Sequence, residues 1–500
     1  MSSRCCVLVI VAWLFAVSLT GCGASHGSRA GANGIAGPFT NASFSGAYAF
    51  FFSGRDSNGF FAVAGRVSSS GNGTLTGLLD MNASAGLATL PVSGNYNVQP
   101  DGRGSATLIT TARTFTIHFV MISRQRALII SFDPGTSGHG SMDLQNSATF
   151  STFALSGAHA FNLSGIDSSA NPAIAMGGFS SDASGNLTSG LHDISDNGAP
   201  SVGQSLTGSY SVVDTTNGRG LLTLNTALGT LHFAFYVVDG QHWKIVESER
   251  APALAGEMFS GQTNLASSGV IGCGPCVFVL SGLDGALNFA ATGIYRPGGG
   301  TVGPPGFEDI NRNGVVSSFT VVSGAYVLAP DFRGLLTVTV GGVTSHYAFY
   351  PSSGGQLLLQ IDPAHTISGL AFNQTGAGLP FLDLSLEGNY AFSTVGPNVT
   401  VAPDEAGELT ATVPSQPPGG NITGTTSGTL DIIASGAPSP NVGQNGTFVM
   451  DFGGRGSMAL TTPFGAQNLI LYGTGGAGPV VYMGRDANAV IVGIFEGQQR

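Results

Sequence analysis

The chain has 500 residues, of which 9% are charged and 77 are glycine, and 17 Lys and Arg face 28 Asp and Glu for a formal net charge of −11. That balance argues against nucleic acid as a partner, since phosphates require a basic footprint, and it leaves no polybasic patch for anionic lipid. Length alone allows three or four domains. Apolar residues spread among Gly, Ser, Thr and Asn predict many short strands joined by turns.

At the N-terminus, Arg4 precedes an almost wholly apolar run from Cys6 to Leu19, closed by Leu19-Thr20-Gly21-Cys22. The run fits a secretory signal and falls short of the roughly 20 residues a spanning helix needs. Leu-Thr-Gly-Cys resembles the lipobox of bacterial lipoproteins. That resemblance implies a signal peptide over 1–21, removed before Cys22, which then carries the lipid as the first residue. The protein would be exported and held to the membrane by this N-terminal lipid. Gly23 is not the acidic residue linked to inner-membrane retention, so the outer membrane is the expected destination. Residues 22–43, rich in Gly, Ser and Ala, lack periodicity and read as a flexible tether.

A repeat fills the rest. Gly-Asn-Tyr96 leading to Gly-Arg103-Gly returns as Gly-Ser-Tyr210 to Gly-Arg219-Gly, Gly-Ala-Tyr326 to Phe-Arg333-Gly, and Gly-Thr-Phe448 to Gly-Arg455-Gly. By subtraction the arginines lie 116, 114 and 122 residues apart, and a period of this kind marks a tandem array. The units cover 44–148, 151–264, 268–377 and 380–500. Each opens on a strand with one bulky alternating face, such as Tyr48/Phe50/Phe52 or His159/Phe161/Leu163. A third strand ends in Gly-x-x-Asp (Asp80, Asp193, Asp309, Asp431), a seventh runs into Asp133, Glu247, Asp362 or Asp486, and Gln145, Gln262, Gln374 and Gln498 close the units. Eight short strands per unit leave no room for helices. The expected fold is all-β: four tandem eight-stranded antiparallel up-and-down β-barrels, with β-sandwiches as the alternative, because closure removes exposed edges.

The Gly-x-Tyr of the first strand partly resembles the Gly-x-Trp that opens calycin barrels such as lipocalins and avidins. In that family an arginine plugs one barrel end, and hollow barrels bind a small hydrophobic ligand. The repeat as a whole resembles uncharacterised β-rich repeat lipoproteins of soil acidobacteria.

Several motifs invite a chemical reading. Cys273-Gly-Pro-Cys276 matches the thioredoxin redox motif, but that chemistry needs a helix N-terminus, and the repeat register places Cys276 on a strand. A local disulfide is expected instead. Asp309-Ile-Asn311-Arg-Asn313-Gly matches the first half of a calcium loop, whereas Thr320 stands where a bidentate Glu is required. No metal is therefore assigned. Arg103, Arg219, Arg333 and Arg455, with Tyr96, Tyr210, Tyr326 and Phe448, are read as structural. Each arginine is expected to pair with an acid of its own unit, Asp80 or Asp133 in the first. The stripes His232/Ala234/Tyr236 and His346/Ala348/Tyr350 point outward, as a packing surface between barrels or as a metal or sugar platform. No nucleophile elbow, zinc-protease motif or phosphate loop is present in the sequence, so neither catalysis nor a cofactor is expected. The expected role is that of a lipid-anchored, non-catalytic envelope or cell-surface protein, structural or adhesive, contacting extracellular matrix or glycan. Binding of a small hydrophobic ligand or glycan by the barrels is the alternative.

Overall fold

The structure, a computed structural model, describes residues 38–83, 86–227, 229–249, 253–262, 273–320, 322–329, 332–375, 386–395, 403–414, 421–476, 478–487 and 490–499. Cys22 and the leader lie outside the described residues.

The first barrel consists of β1 (Ser45–Asp56), β2 (Gly59–Ser70), β3 (Thr74–Ala83), β4 (Gly86–Val98), β5 (Arg103–Ile109), β6 (Thr114–Met121), β7 (Arg126–Ser131) and β8 (Ser137–Leu144). Each strand pairs antiparallel with the next, and β8 returns to β1 with Tyr48 opposite Leu144 and Phe51 opposite Ser141. Three further eight-stranded barrels follow, bounded by Gly157 and Ser260, Cys276 and Asn373, and Gly388 and Gly497. Among the described residues no strand is shared across a unit border. In the second and third barrels the fourth strand is interrupted, into Ala199–Ser205 and Thr207–Asp214, and into Val315–Phe319 and Val322–Leu328. The interruption does not open the second barrel: Leu206 N–H donates to Gly190 O (2.9 Å), and Asn186 bridges to Ser209.

Alternation along the strands separates two apolar sets. Inward residues fill each barrel. In the first, Phe52 meets Phe115 edge-on at 5.4 Å and stacks beside Phe50 at 6.1 Å. The Arg-Gly motif gains a physical meaning here. The arginine faces outward, and a Cβ on the following glycine would lie 2.4 Å from the Phe119 ring at Gly104 and 2.0 Å from Phe235 at Gly220. Glycine lets a sixth-strand ring lie flat across the fifth strand.

The tether ends sooner than the sequence suggests. Phe39 is 3% exposed and its N–H donates to Pro100 O (3.1 Å), and Asn41–Ser43 form a 3-10 turn against the barrel. Burial of Phe39 and Phe44, worth about 1.5–3 kcal/mol each, offsets the entropy of ordering these few residues.

The outward set joins the barrels. Ala49, Ala62 and Ala64 of the first pack on Ala234, Tyr236 and Val246 of the second. Ala160, Ile174 and Met176 of the second pack on Ala348, Tyr350 and Leu357 of the third. Val277, Ala290 and Ile294 of the third meet Ile470, Tyr472 and Val481 of the fourth. Ala391, Ala406 and Ile433 of the fourth return to Val120, Ile130 and Phe132 of the first. The face of the first and second strands of each barrel thus meets the face of the sixth and seventh strands of the next, and the fourth step closes on the first. A head-to-tail contact whose rotation closes makes a ring, in this case within one chain. The Ala234/Tyr236 and Ala348/Tyr350 stripes are packing surface, while His232 and His346 at their ends stay about half exposed (46% and 50%).

Candidate functional site

Each seam carries a polar lock built from the repeated arginine and aspartate. Asp80 alternates along β3 with the inward Leu79 and Met81, so its carboxylate points away from its own barrel. Arg219 of the second barrel meets it with two bonds, Nε to Oδ2 at 2.7 Å and Nη2 to Oδ1 at 2.8 Å, and Tyr236 Oη donates to Oδ2 at 2.7 Å. Arg333 and Tyr350 hold Asp193 in the same way at 2.7, 2.8 and 2.5 Å. Arg455 and Tyr472 hold Asp309 at 2.9, 2.6 and 2.6 Å. Bidentate, charge-assisted geometry of this kind is strong and directional. Burial and then the adjacent carboxylate push the Tyr236 and Tyr350 hydroxyls well above their ordinary pKa. The hydrogen bond to Asp80 holds the Arg219 guanidinium more firmly protonated.

These pairs correct the expectation of partners within a unit. Arginine and aspartate both face outward, so the carboxylate each arginine meets across a bidentate contact belongs to the preceding barrel. Asp133, the other expected partner, instead accepts the Thr116 N–H from both oxygens at 3.1 Å. The acids at the seventh-strand ends repeat that role: Glu247 accepts from His232 N (3.0 Å), Asp362 from His346 N (2.7 Å) and Asp486 from Asn468 N (2.6 Å). The closing glutamines reach forward. Gln145 Nε2 donates to Val237 O (2.6 Å), Gln374 Nε2 to Gly473 O (3.0 Å), and Gln498 Nε2 returns to Met121 O (2.9 Å) of the first barrel.

The fourth seam differs. Arg103 makes one bond to Asp431 (Nη1 to Oδ1, 3.0 Å), shares Nη1 with Asn441, and gives Nε to Asp101 of its own barrel at 3.0 Å. Val120 stands where the tyrosines stand, and His118 Nδ1 lies 3.0 Å from Asp431 Oδ2. Burial alone would raise the Asp431 carboxyl, but bonds from His118 and the Asn441 amide, with Arg103 nearby, hold it below the usual range.

Tyr96 and Tyr210 point into their barrels: Tyr96 meets Ser69 Oγ at 2.6 Å and Tyr210 meets Ser181 Oγ at 3.0 Å. Tyr326 and Phe448 are buried at the matching positions. Cys273 and Cys276 are joined by a disulfide, Cα atoms 5.2 Å apart, packed in the core of the third barrel. Asp309 is engaged by Arg455, Tyr472 and Ser318, and Asn311 binds Gly484 O (2.9 Å) and Gly314 N (2.8 Å). Asn313 and Gly314 turn the hairpin with φ of 49° and 90°, the left-handed pair a tight turn requires.

A second polar cluster lies where barrels one, two and four approach. Lys244, fully buried, places Nζ 2.5 Å from Asp143, 2.7 Å from Ser141 Oγ and in contact with Glu257. His242 adds a 3.0 Å contact to Glu257, and Arg126 bonds Asp143 at 3.0 Å and lies 3.6 Å from Glu496. Donor atoms of Asp143, His242 and Glu257 come within 4.8 Å of one another, a spacing compatible with a metal. The lysine ammonium already fills that place. Burial would raise the Asp143 carboxyl, but Arg126 and Lys244 outweigh it and hold it down at about 2. Beside this cluster a cavity of about 460 Å3 is lined by residues of all four barrels. Sequence reading missed the cluster, although a lone lysine between Trp243 and Ile245 in so charge-poor a chain was a signal for it.

These features define a closed ring of four β-barrels with a central cavity. No protein-family model matches the chain, and no curated protein matches it either.

Proposed function

We propose that this is a non-catalytic protein of the cell envelope, anchored by lipid at Cys22 on the outer membrane, whose four-barrel ring serves as a rigid structural or adhesive module. The observation that carries this reading is the cyclic arginine–aspartate lock: buried charge is committed to holding barrel to barrel. The cluster around Lys244 is likewise internally paired, with acids matched to cations. One hydrophobic ligand per barrel would need hollow interiors. The fourth barrel keeps about 20 Å3 beside Phe448 and Phe495, room for about one water molecule and far too little for a hydrophobic ligand. Labelling cells with a radioactive fatty acid tests the anchor. The wild-type chain should take up label and sediment with outer membrane, and Cys22→Ala should do neither. Equal behaviour of the two would refute the anchored reading.

A further inference from the structure

We propose that the central cavity is a binding site for a neutral polyhydroxylated molecule, a small sugar or polyol, taken up once per chain. The volume, about 460 Å3, falls in the roughly 300–1,000 Å3 range of small-molecule sites. Its wall presents hydroxyls at one repeated position, Ser53, Ser164 and Ser281 of three first strands. Deeper along the same strands lie Phe51 and Asn162, next to Arg126, Glu257 and Glu496.

The polar groups on this wall are of mixed sign: the Arg126 guanidinium stands 3.0 Å from Asp143 and 3.6 Å from Glu496, and Glu257 and Asn162 line the same wall. Polar groups in such a site cost free energy unless a ligand or water satisfies them. The ligand must therefore bring acceptors and donors together. A simple anion would meet Glu257 and Glu496, and a simple cation would meet Arg126 with Lys244 behind it. A vicinal diol offers both functions without net charge.

Access follows from the strand directions. The cavity is lined at the far ends of the first strands, around Gly54, Gly165 and Gly282, where Ser164 is exposed and Arg55 and Ile166 are partly so. Phe39 docks at the opposite end of the first barrel, beside Pro100 and Gly102. The cavity thus opens away from the segment that leads to the tether. This inference does not depend on the lipid anchor.

The test is calorimetric titration of the full chain in detergent with trehalose, cellobiose, N-acetylglucosamine and myo-inositol, using citrate and putrescine as charged controls. At least one neutral compound should saturate at one per chain, and neither control should compete. Asn162→Leu should weaken binding about tenfold or more, and Ser164→Trp at the mouth should abolish it, both with unchanged thermal melting. Failure of all four neutral compounds to saturate, a stoichiometry of four, competition by either control, or binding indifferent to both variants would overturn the proposal.

Discussion

Three seams join barrels that are neighbours in sequence, and one joins the last barrel to the first. The three use a bidentate arginine, a tyrosine hydroxyl and a third-strand side chain, Asn82, Ser195 or Asn311, bonded to a carbonyl at the end of the seventh strand or the start of the eighth in the next barrel. The closing seam keeps the arginine and aspartate but has Val120 for the tyrosine and Ile433 for the amide or hydroxyl. Its apolar contact is of the same kind as in the other seams, with Ile122, Leu128, Ile130 and Phe132 against Ala391, Ala406 and Ile433, and His118 bonds Asp431 in addition. The lesson is that the arginine–aspartate pair recurs at every seam, while the groups that complete it vary from a tyrosine hydroxyl to a histidine and an asparagine.

The sharpest way to break this comparison is to remove equivalent aspartates. Asp193 is 0% exposed and is the carboxylate partner of Arg333, itself 8% exposed. Asp193→Ala should cost about 3–5 kcal/mol, as for a buried pair broken on one side. Asp431→Ala leaves Arg103 bonded to Asp101 and Asn441, so about 1–3 kcal/mol is expected. Denaturant midpoints measured side by side would decide, and equal losses would remove the distinction.

A second effect separates the first seam by pH. Glu247, 1% exposed with one oxygen unpartnered, has its carboxyl pushed up to about 9 by burial. A raised carboxyl binds more protons folded than unfolded between the two pKa values, so stability is present at low pH and lost as pH rises. From pH 7 to 9 the expected loss is roughly 2–3 kcal/mol, at about 1.36 kcal/mol per unit. Glu247→Gln should flatten that slope in melts taken across this range. An unchanged slope would assign it elsewhere.

Tyr350→Phe deletes one bond to the buried carboxylate and keeps the ring, so a loss of about 1–2 kcal/mol is expected. The smallest effect belongs to the closing seam: His118→Ala should cost about 1 kcal/mol or less, mainly stacking on Phe132 (3.7 Å between ring centres) and the bond to Asp431. A larger loss from His118→Ala than from Tyr350→Phe would invert the ranking of the seams.

Much of the fold could be read in advance because its period is local. Alternating faces such as Tyr48/Phe50/Phe52 fix a strand's buried side within a few residues, and eight of them per repeat require closure. The outward Ala234/Tyr236 stripe was legible as packing surface for the same reason. The partners of the arginines were not. Outward arginine and outward aspartate are visible in the pattern, but pairing Arg103 with Asp431 spans 328 residues, and nothing local to either specifies a ring. The cavity and the charges around Lys244 exist only after the ring closes, so one unit's sequence cannot reveal them.

Closure itself is most directly tested by small-angle X-ray scattering on residues 23–500 produced without the leader. A closed ring predicts a radius of gyration near that of a compact chain of this length, about 23–26 Å. Four barrels strung in a line, each about 13 Å in radius of gyration, would give roughly 40 Å, and a value there would contradict the account.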